Sequence, residues 1–399
     1  MRLRFVSHSL PPVGRPLANL GGMQRVALKL HETLAARAEQ TPTLRYDALL
    51  LRSTWRWVHL RTPLFLLRAA ASIVRRGRRD DVLLFSSMVT ASLAVPLQGL
   101  LRRHGVRTAA IVHGLDVTTP FGPYQWFVPK VFAALDAVFP VSRATARACR
   151  TRGAAPEKLH VIPNGIDPDR FAPPPDRAAG RAALADGLGA PPPSDALLLC
   201  SVGRQVERKG TAWFVDRVMP RLPSDVHYWI AGDGPQDEAI QAAIDRHDLG
   251  PRVRHLGRIS DANLARLYRG ADLFVMPNVP VEDDMEGFGI VLLEAAQCGT
   301  PAIAAQIDGI QDVITEGVNG HLVEPQAPGA FVDAIRPYRQ APDALADAAA
   351  QAAGYTTTTF GWDSVTDLYV AACRTLHETG APPAPAVAAP VAAAVQDET

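Results

Sequence analysis

Cysteine and lysine are both scarce in this 399-residue chain, and no apolar run reaches the length of a membrane span. The four cysteines, Cys149, Cys200, Cys298 and Cys373, stand singly, with no C-x-x-C and no metal-ligand spacing. That excludes a zinc ribbon and a disulfide framework and fits a reducing compartment. The opening "MRLRFV" is too short to be the apolar part of a signal peptide, so the expected location is the cytoplasm. What is present is the composition of a soluble globular protein, 47% hydrophobic and 20% charged. The length exceeds what one core ordinarily supports, which predicts two domains.

A net charge of +1 conceals a separation along the chain. Residues 1–190 hold 27 Lys+Arg against 12 Asp+Glu, or +15, and the remainder hold 14 against 28, or −14. Much of the excess lies between residues 52 and 79, where Arg52, Arg56, Arg61, Arg68 and a cluster from Arg75 to Arg79 alternate with Trp55, Trp57, Leu64, Phe65 and Leu67. A basic surface interleaved with Trp and Leu suits anionic lipid headgroups, which predicts a peripheral site on the inner face of a membrane. A solvated face in an Arg-rich chain accounts for the same pattern. Nucleic acid is not expected, since no nucleic-acid motif accompanies the charge.

Short apolar runs alternate with helical patterns: "RLRFV", a helix from Gly22 to about Glu39, then "DVLLFSS", "TAAIVHG", "DAVFPVS" and "LHVIPNG". Such alternation predicts a parallel sheet with helices on both faces. Residues 173–195, rich in Pro, Ala and Gly, read as a linker after a first domain over 1–172. The alternation restarts with "ALLLCSVG", "VHYWIAGDG", "RVRHLGR", "ADLFVMP" and "TPAIAA", which gives a second domain over 196–358. The amphipathic segment within 359–379 predicts a terminal helix, and 380–399, which has no aromatic or long aliphatic side chain, a disordered tail.

Ligands of open α/β sheets bind beyond the carboxyl ends of the strands, and the candidate residues gather there. Gly21 and Gly22 open a helix after the first strand, where bare amides and the helix dipole favour a phosphate. His113 follows another strand. In the second half Gly203 and Arg204 follow "LLLCSV", with Lys209 five positions on, placing two cations where a phosphate could sit. Gly232 and Asp233 form a further turn. The run "EGFGIVLLEAAQCGTPAIA" carries Glu286, then Gly287, Phe288, Gly289 and Ile290, then Glu294 among apolar neighbours. A carboxylate in a helix apolar nearly all round needs a partner: an internal ion pair or the hydroxyls of a ligand.

Taken in order, "GGMQR", "HGLD", "PVSRAT", "VIPNGID", "SVGRQVERKG", "IAGDGP", "LGRIS" and "EGFGIVLLEAAQCGTPAIA" resemble glycosyltransferase family 4, over roughly residues 20–325. The E-x7-E pair Glu286 and Glu294 is the most specific element. The resemblance implies two facing Rossmann-like domains (the GT-B fold), a terminal helix returning to the first domain, and retaining sugar transfer from a nucleotide diphosphate sugar. It implies that Glu294 accepts the ribose hydroxyls and Glu286 the donor sugar's hydroxyls. The amides of Gly287 to Ile290 would approach the pyrophosphate, Arg204 and Lys209 would meet the leaving phosphate, and His113 would lie near the anomeric centre. One departure stands out: Asp308-Gly309 occupies the place where the family often shows Gly-Gly.

No convergent metal ligands accompany these residues, so neither a metal nor any cofactor beyond the sugar nucleotide is expected. The expected acceptor is lipid-linked or a polysaccharide. A sugar-nucleotide epimerase and a binding protein without chemistry are the competing classes. Specificity is expected in loops such as residues 7–20 and 52–62.

Overall fold

The computed structural model describes residues 1–12, 22–76, 81–282 and 284–383. Gly21, Arg78, Arg79 and the tail from residue 384 onward lie outside the described residues. The chain divides into two compact units, Met1–Gly165 with Trp362–Thr399, and Ile166–Gly361.

The first unit is built from β1 (Arg2–Leu10), α1 (Gly22–Gln40), β2 (Arg45–Arg52), α2 (Trp55–Arg76), β3 (Asp81–Phe85), α3 (Met88–Ala91), α4 (Ala94–Arg103), β4 (Arg107–Val112), α5 (Leu115–Thr118), α6 (Gly122–Ala134), β5 (Ala137–Pro140) and α7 (Arg143–Arg150). Its five strands run in the order β2-β1-β3-β4-β5, every pair parallel. The continuous burial of β3 and β5 is what a sheet covered on both faces requires, and it explains strands such as "DVLLF" that do not alternate.

Two expectations change here. Residues 45–52 form the edge strand β2, with Arg2↔Arg45 through Ser7↔Leu50 in register, and residues 55–62 open the helix α2 rather than a loop. The run "LHVIPNG" forms no strand, only a bridge between Val138 and Leu159. Its amides at His160 and Ile162 do bond the carbonyls of Val138 and Pro140, each at 3.0 Å. Pro140 and Pro163 have no N–H to continue the ladder.

The second unit follows with α8 (Arg177–Leu188), β6 (Leu197–Val202), α9 (Thr211–Arg217), β7 (Val226–Ala231), α10 (Asp237–Arg246), β8 (Val253–His255), α11 (Asp261–Gly270), β9 (Leu273–Met276), α12 (Ile290–Gln297), β10 (Ala302–Ala305), β11 (Gly320–Val323), α13 (Pro328–Gln340) and α14 (Pro342–Phe360). Its six parallel strands lie in the order β11-β10-β9-β6-β7-β8.

The expected linker over 173–195 is part of this unit, and the reason is a buried acid. Asp272, at the start of β9, accepts from Arg177 at 2.6 and 3.0 Å, from Arg181, and from the Leu198 amide at 2.7 Å. A buried carboxylate cannot be left uncompensated, so α8 is bound to the sheet by its arginines despite its loop-like composition.

The chain returns to the first unit as α15 (Trp362–Thr379), where Thr366 bonds Thr33 of α1 at 2.6 Å and Asp367 pairs with Arg37 at 3.1 Å. The face of α15 carrying Val365, Tyr369, Val370, Cys373 and Leu376 is buried, as its helical spacing requires.

Candidate active site

The carboxyl edge of the second sheet is shaped by glycine before it is shaped by charge. The loop after β6 (Gly203, Arg204, Gln205) lies backbone to backbone on the loop after β7 (Gly232, Asp233, Gly234). Gly203 donates to Ala231, Gln205 to Asp233 and Gln236 to Gln205, at 2.9 to 3.0 Å. A Cβ on Gly232, whose φ is 123°, would stand 1.8 Å from the Gly203 carbonyl oxygen, and one on Gly234 2.3 Å from that of Gln205. Neither position admits a side chain. Asp233 itself is exposed.

Onto this edge a short 3-10 turn, Glu207–Lys209, brings two adjacent cations. The Lys209 ammonium donates to Glu286 Oε2 at 2.5 Å, and Arg208 donates to the same oxygen and, through Nε, to Asp284 at 2.9 Å. Asn278 approaches that oxygen at 3.4 Å. Burial pushes the Lys209 pKa down, Arg208 pushes the same way, and the pull of Glu286 does not fully offset them. For Glu286, burial works to raise the pKa, yet Lys209 and Arg208 outweigh it and hold the carboxyl below the usual range. The Glu286 carboxyl is therefore ionised at neutral pH.

Sequence reasoning paired Lys209 with Arg204. The structure places Arg204 exposed, while the cation beside Lys209 is Arg208. The missed signal was the preceding position in "ERKG": on a one-turn 3-10 segment adjacent side chains can converge on one acceptor.

The backbone of Glu286 is clamped by the departure noted in the sequence. Asp308 adopts a left-handed conformation, φ 49°, and its carboxylate accepts the Glu286 amide at 3.0 Å, while Gly309 donates to the Glu286 carbonyl at 3.0 Å. A Cβ on Gly309 would meet the Gly287 oxygen at 2.3 Å. Aspartate tolerates left-handed geometry better than most residues, and in that conformation its carboxylate reaches the Glu286 amide. Gly287 and Phe288 lead into Gly289, φ 85°, the N-cap of α12, with Ile290 its first residue. Phe288 is buried edge-on against Phe360.

Glu294 is buried on α12 and has protein partners: Arg170 donates to Oε1 at 2.8 Å and the Tyr268 hydroxyl to Oε2 at 3.2 Å. Arg170 also reaches Asp261 at 3.2 Å. Of the two ways to satisfy this carboxylate, the ion pair is the one present, supplied by the "NGIDPDR" segment at the head of the unit.

In the first unit, Gly22 opens α1 with nothing within 4 Å of an added Cβ. His113 follows β4. Its Nε2 lies 3.1 Å from the Ser86 carbonyl oxygen, and its amide donates to Asp116 at 2.9 Å. Beside it at the same sheet edge, and unremarked in the sequence, His8 faces Ser87 at 3.5 Å; burial, then neighbouring His59, bring its pKa down to about 4.

Two parallel-sheet units, the second with a glycine-lined edge carrying a Lys-Arg-Glu cluster, have the architecture of the GT-B glycosyltransferases. Anabaena HepE, solved in complex with UDP, superposes with a TM-score of 0.69 over 95% of this chain and 100% of that one, at 18% identity. The Glycosyltransferase Family 4 model matches residues 20–170 and the Glycosyl transferases group 1 model residues 196–339. The D-inositol 3-phosphate glycosyltransferase of Xylanimonas cellulosilytica is 33% identical over 279 residues, 67% of this chain and 64% of that protein. D-inositol 3-phosphate glycosyltransferase 1 of Catenulispora acidiphila is 30% identical over 309 residues, 74% of this chain and 70% of that protein. The chain belongs to glycosyltransferase family 4. The matches span about two thirds of these relatives' lengths, 64% and 70%.

Proposed function

We propose that this protein transfers a sugar, with retention of configuration, from a nucleotide diphosphate sugar to a lipid-linked or polysaccharide acceptor at the cytoplasmic face of a membrane. The observation that carries this reading is the Lys209–Glu286–Arg208 cluster at the carboxyl edge of the second sheet. When the glycosidic C–O bond to the diphosphate breaks, the electron pair leaves with the phosphate. Preorganised cations in a water-poor site are the strongest available lever against that barrier. An arriving diphosphate draws the Lys209 ammonium from Glu286, with Arg204 as the second cation. Arg208 keeps Glu286 ionised, and its freed oxygen accepts hydroxyls of the donor sugar. The Gly287 to Ile290 amides meet the pyrophosphate, with Gly203, Gly232 and Asp233 along the nucleotide's edge.

Glu294 accepts the ribose hydroxyls, sharing its oxygens with Arg170 and Tyr268. The acceptor hydroxyl attacks the short-lived oxocarbenium-like sugar on the face the phosphate has just left, and its proton passes to a phosphate oxygen. His113 serves the sugar's anomeric end. Transfer needs no metal ion, because Arg204 and Lys209 supply the charge. UDP bound to HepE and the inositol phosphate in the relatives' names supply the first compounds to try.

Thermal shifts with UDP, ADP and GDP, followed by product analysis with and without a chelator, test the reading. A new glycoside formed in the presence of the chelator supports it. An altered sugar nucleotide without glycoside makes the protein an epimerase, and no thermal shift with any nucleoside diphosphate overturns the donor site.

A further inference from the structure

Helix α2 contains no Asp or Glu in its 22 residues and turns apolar side chains both inward and outward. Val58, Ala69 and Ile73 are buried against the first unit's core, with Phe65, Leu66 and Ala70 packed beside them. That satisfies the amphipathic requirement of a surface helix. Yet the opposite side exposes Trp57 (53%), Leu60 (70%), Leu64 (51%), Leu67 (70%) and Val74 (49%). At 100° per residue these five fall on one stripe of about a quarter turn, running roughly 26 Å along the axis. Soluble domains scatter exposed apolar residues; a continuous stripe marks a surface that meets something apolar.

The charge says what. Arg61, Arg68 and Arg75 each follow an outward apolar residue, Leu60, Leu67 and Val74, at a seven-residue interval, so a cationic line runs alongside the apolar one. Arg56, Arg61, Arg68 and Arg75 are all exposed, and none has a carboxylate partner among the described residues. Parallel apolar and cationic lines on one exposed side are the chemistry of a helix lying in the plane of an anionic bilayer, side chains in the acyl boundary and guanidinium groups among the phosphates.

We infer that α2 seats the first unit on an anionic lipid surface through Trp57, Leu60, Leu64, Leu67 and Val74, with Arg61, Arg68 and Arg75 on headgroup phosphates. This deepens the proposal that the acceptor is met at a membrane and rests on that reading, but its test does not require transfer.

The full-length protein is sedimented with phosphatidylglycerol or phosphatidylcholine vesicles at about 50 and about 500 mM salt. Expected is binding to phosphatidylglycerol that weakens with salt, and little to phosphatidylcholine. Leu60→Ser with Leu67→Ser, both largely exposed and therefore tolerated by the fold, lowers partitioning about 10-fold or more. Replacing Arg61, Arg68 and Arg75 by Gln lowers it by about 5-fold per charge and flattens the salt dependence. The thermal shift produced by nucleoside diphosphate stays as in the parent in both variants. Equal binding to both lipids, no binding, or variants that bind like the parent overturn the inference while leaving the donor site intact. A concentration-dependent dimer lost in the Leu60/Leu67 variant assigns the face to a second copy and overturns it too. Loss of the nucleotide shift in the parent itself strikes the transfer reading and not the helix.

Discussion

In the second unit Arg208, Lys209, Glu286 and Asp284 neutralise one another within one cluster, whereas Arg61, Arg68 and Arg75 of α2 project from the first unit with no carboxylate partner among the described residues. The same contrast recurs away from the site. Asp272 draws Arg177 and Arg181 onto the second sheet, and Glu294 holds Arg170. Buried charges must be paired in defined geometry, so Arg177 and Arg181 are set by Asp272, Arg170 by Glu294 on α12, and Arg208 and Lys209 by Glu286 on the loop before that helix. Exposed arginines have no such constraint, and their energy is collective and salt-dependent. Charge in the second unit is therefore suited to binding one small anion in one pose, and charge on α2 to meeting an extended surface.

The sharpest way to break that comparison is to remove the second unit's cations. Lys209→Ala and Arg204→Ala together are expected to lower turnover on the order of 100-fold or more, since their charge matters most as phosphate departs, and the Lys209 change also lowers the melting temperature because it leaves Glu286 to Arg208 and Asn278. Steady-state kinetics beside calorimetry decide it, and near-parental turnover in both single variants removes the assignment.

Glu294→Gln should act on two readouts, because Glu294 is already ion-paired. Losing the charge opposite Arg170 is expected to cost about 2 kcal/mol of stability, and nucleoside diphosphate affinity should fall about 10-fold. A lowered melting point with unchanged nucleotide affinity would make Glu294 an internal partner of Arg170 and nothing more.

Acid separates the two units in another way. His8, in the first unit, has a folded pKa of about 4 against an ordinary value of 6.5, so the unfolded chain binds the extra proton first. Its neutral form carries little penalty above pH 6.5, and stability declines by about 2 kcal/mol as pH falls from there to about 5. Glu286 is also shifted down, but from the lower carboxylate range: its pairing contributes in full above the ordinary carboxylate pKa and is lost only as pH falls through its lower folded value. Segment-resolved hydrogen exchange at pH 7.5 and 5 should show protection falling around β1 and β3 while residues 203–210 and 284–290 keep theirs. His8→Gln should remove the difference.

The smallest effect is expected at Asp308. Asp308→Gly keeps the left-handed backbone and removes one hydrogen bond to the Glu286 amide, a loss of about 1 kcal/mol or less. Asp308→Val loses the bond and strains the backbone, so it should be clearly worse. Equal unfolding midpoints for the two would show that the clamp on Glu286 is not set by φ.

How far the residues alone reach depends on the range over which their physics acts. The alternation of β3, β4, β6, β7 and β9 with helical segments is written in local apolar patterning, and that determined two parallel-sheet units. The bare turns at Gly203, Gly232 and Gly289 announced close backbone approach, and an acid inside the apolar α12 announced a buried partner. Tertiary structure decided who the partners were. Arg170 reaches Glu294 across 124 positions, and Arg177 reaches Asp272 across 95, pulling the Pro/Ala-rich bridge into the second unit. Arg208, not Arg204, stands beside Lys209 because the turn aims it at Glu286, 78 residues on. The helix of residues 55–76 could be read as basic and aromatic from its letters. Its outward side was set only when Val58, Ala69 and Ile73 found the core, because a helix apolar on two sides has no local rule for which one is buried.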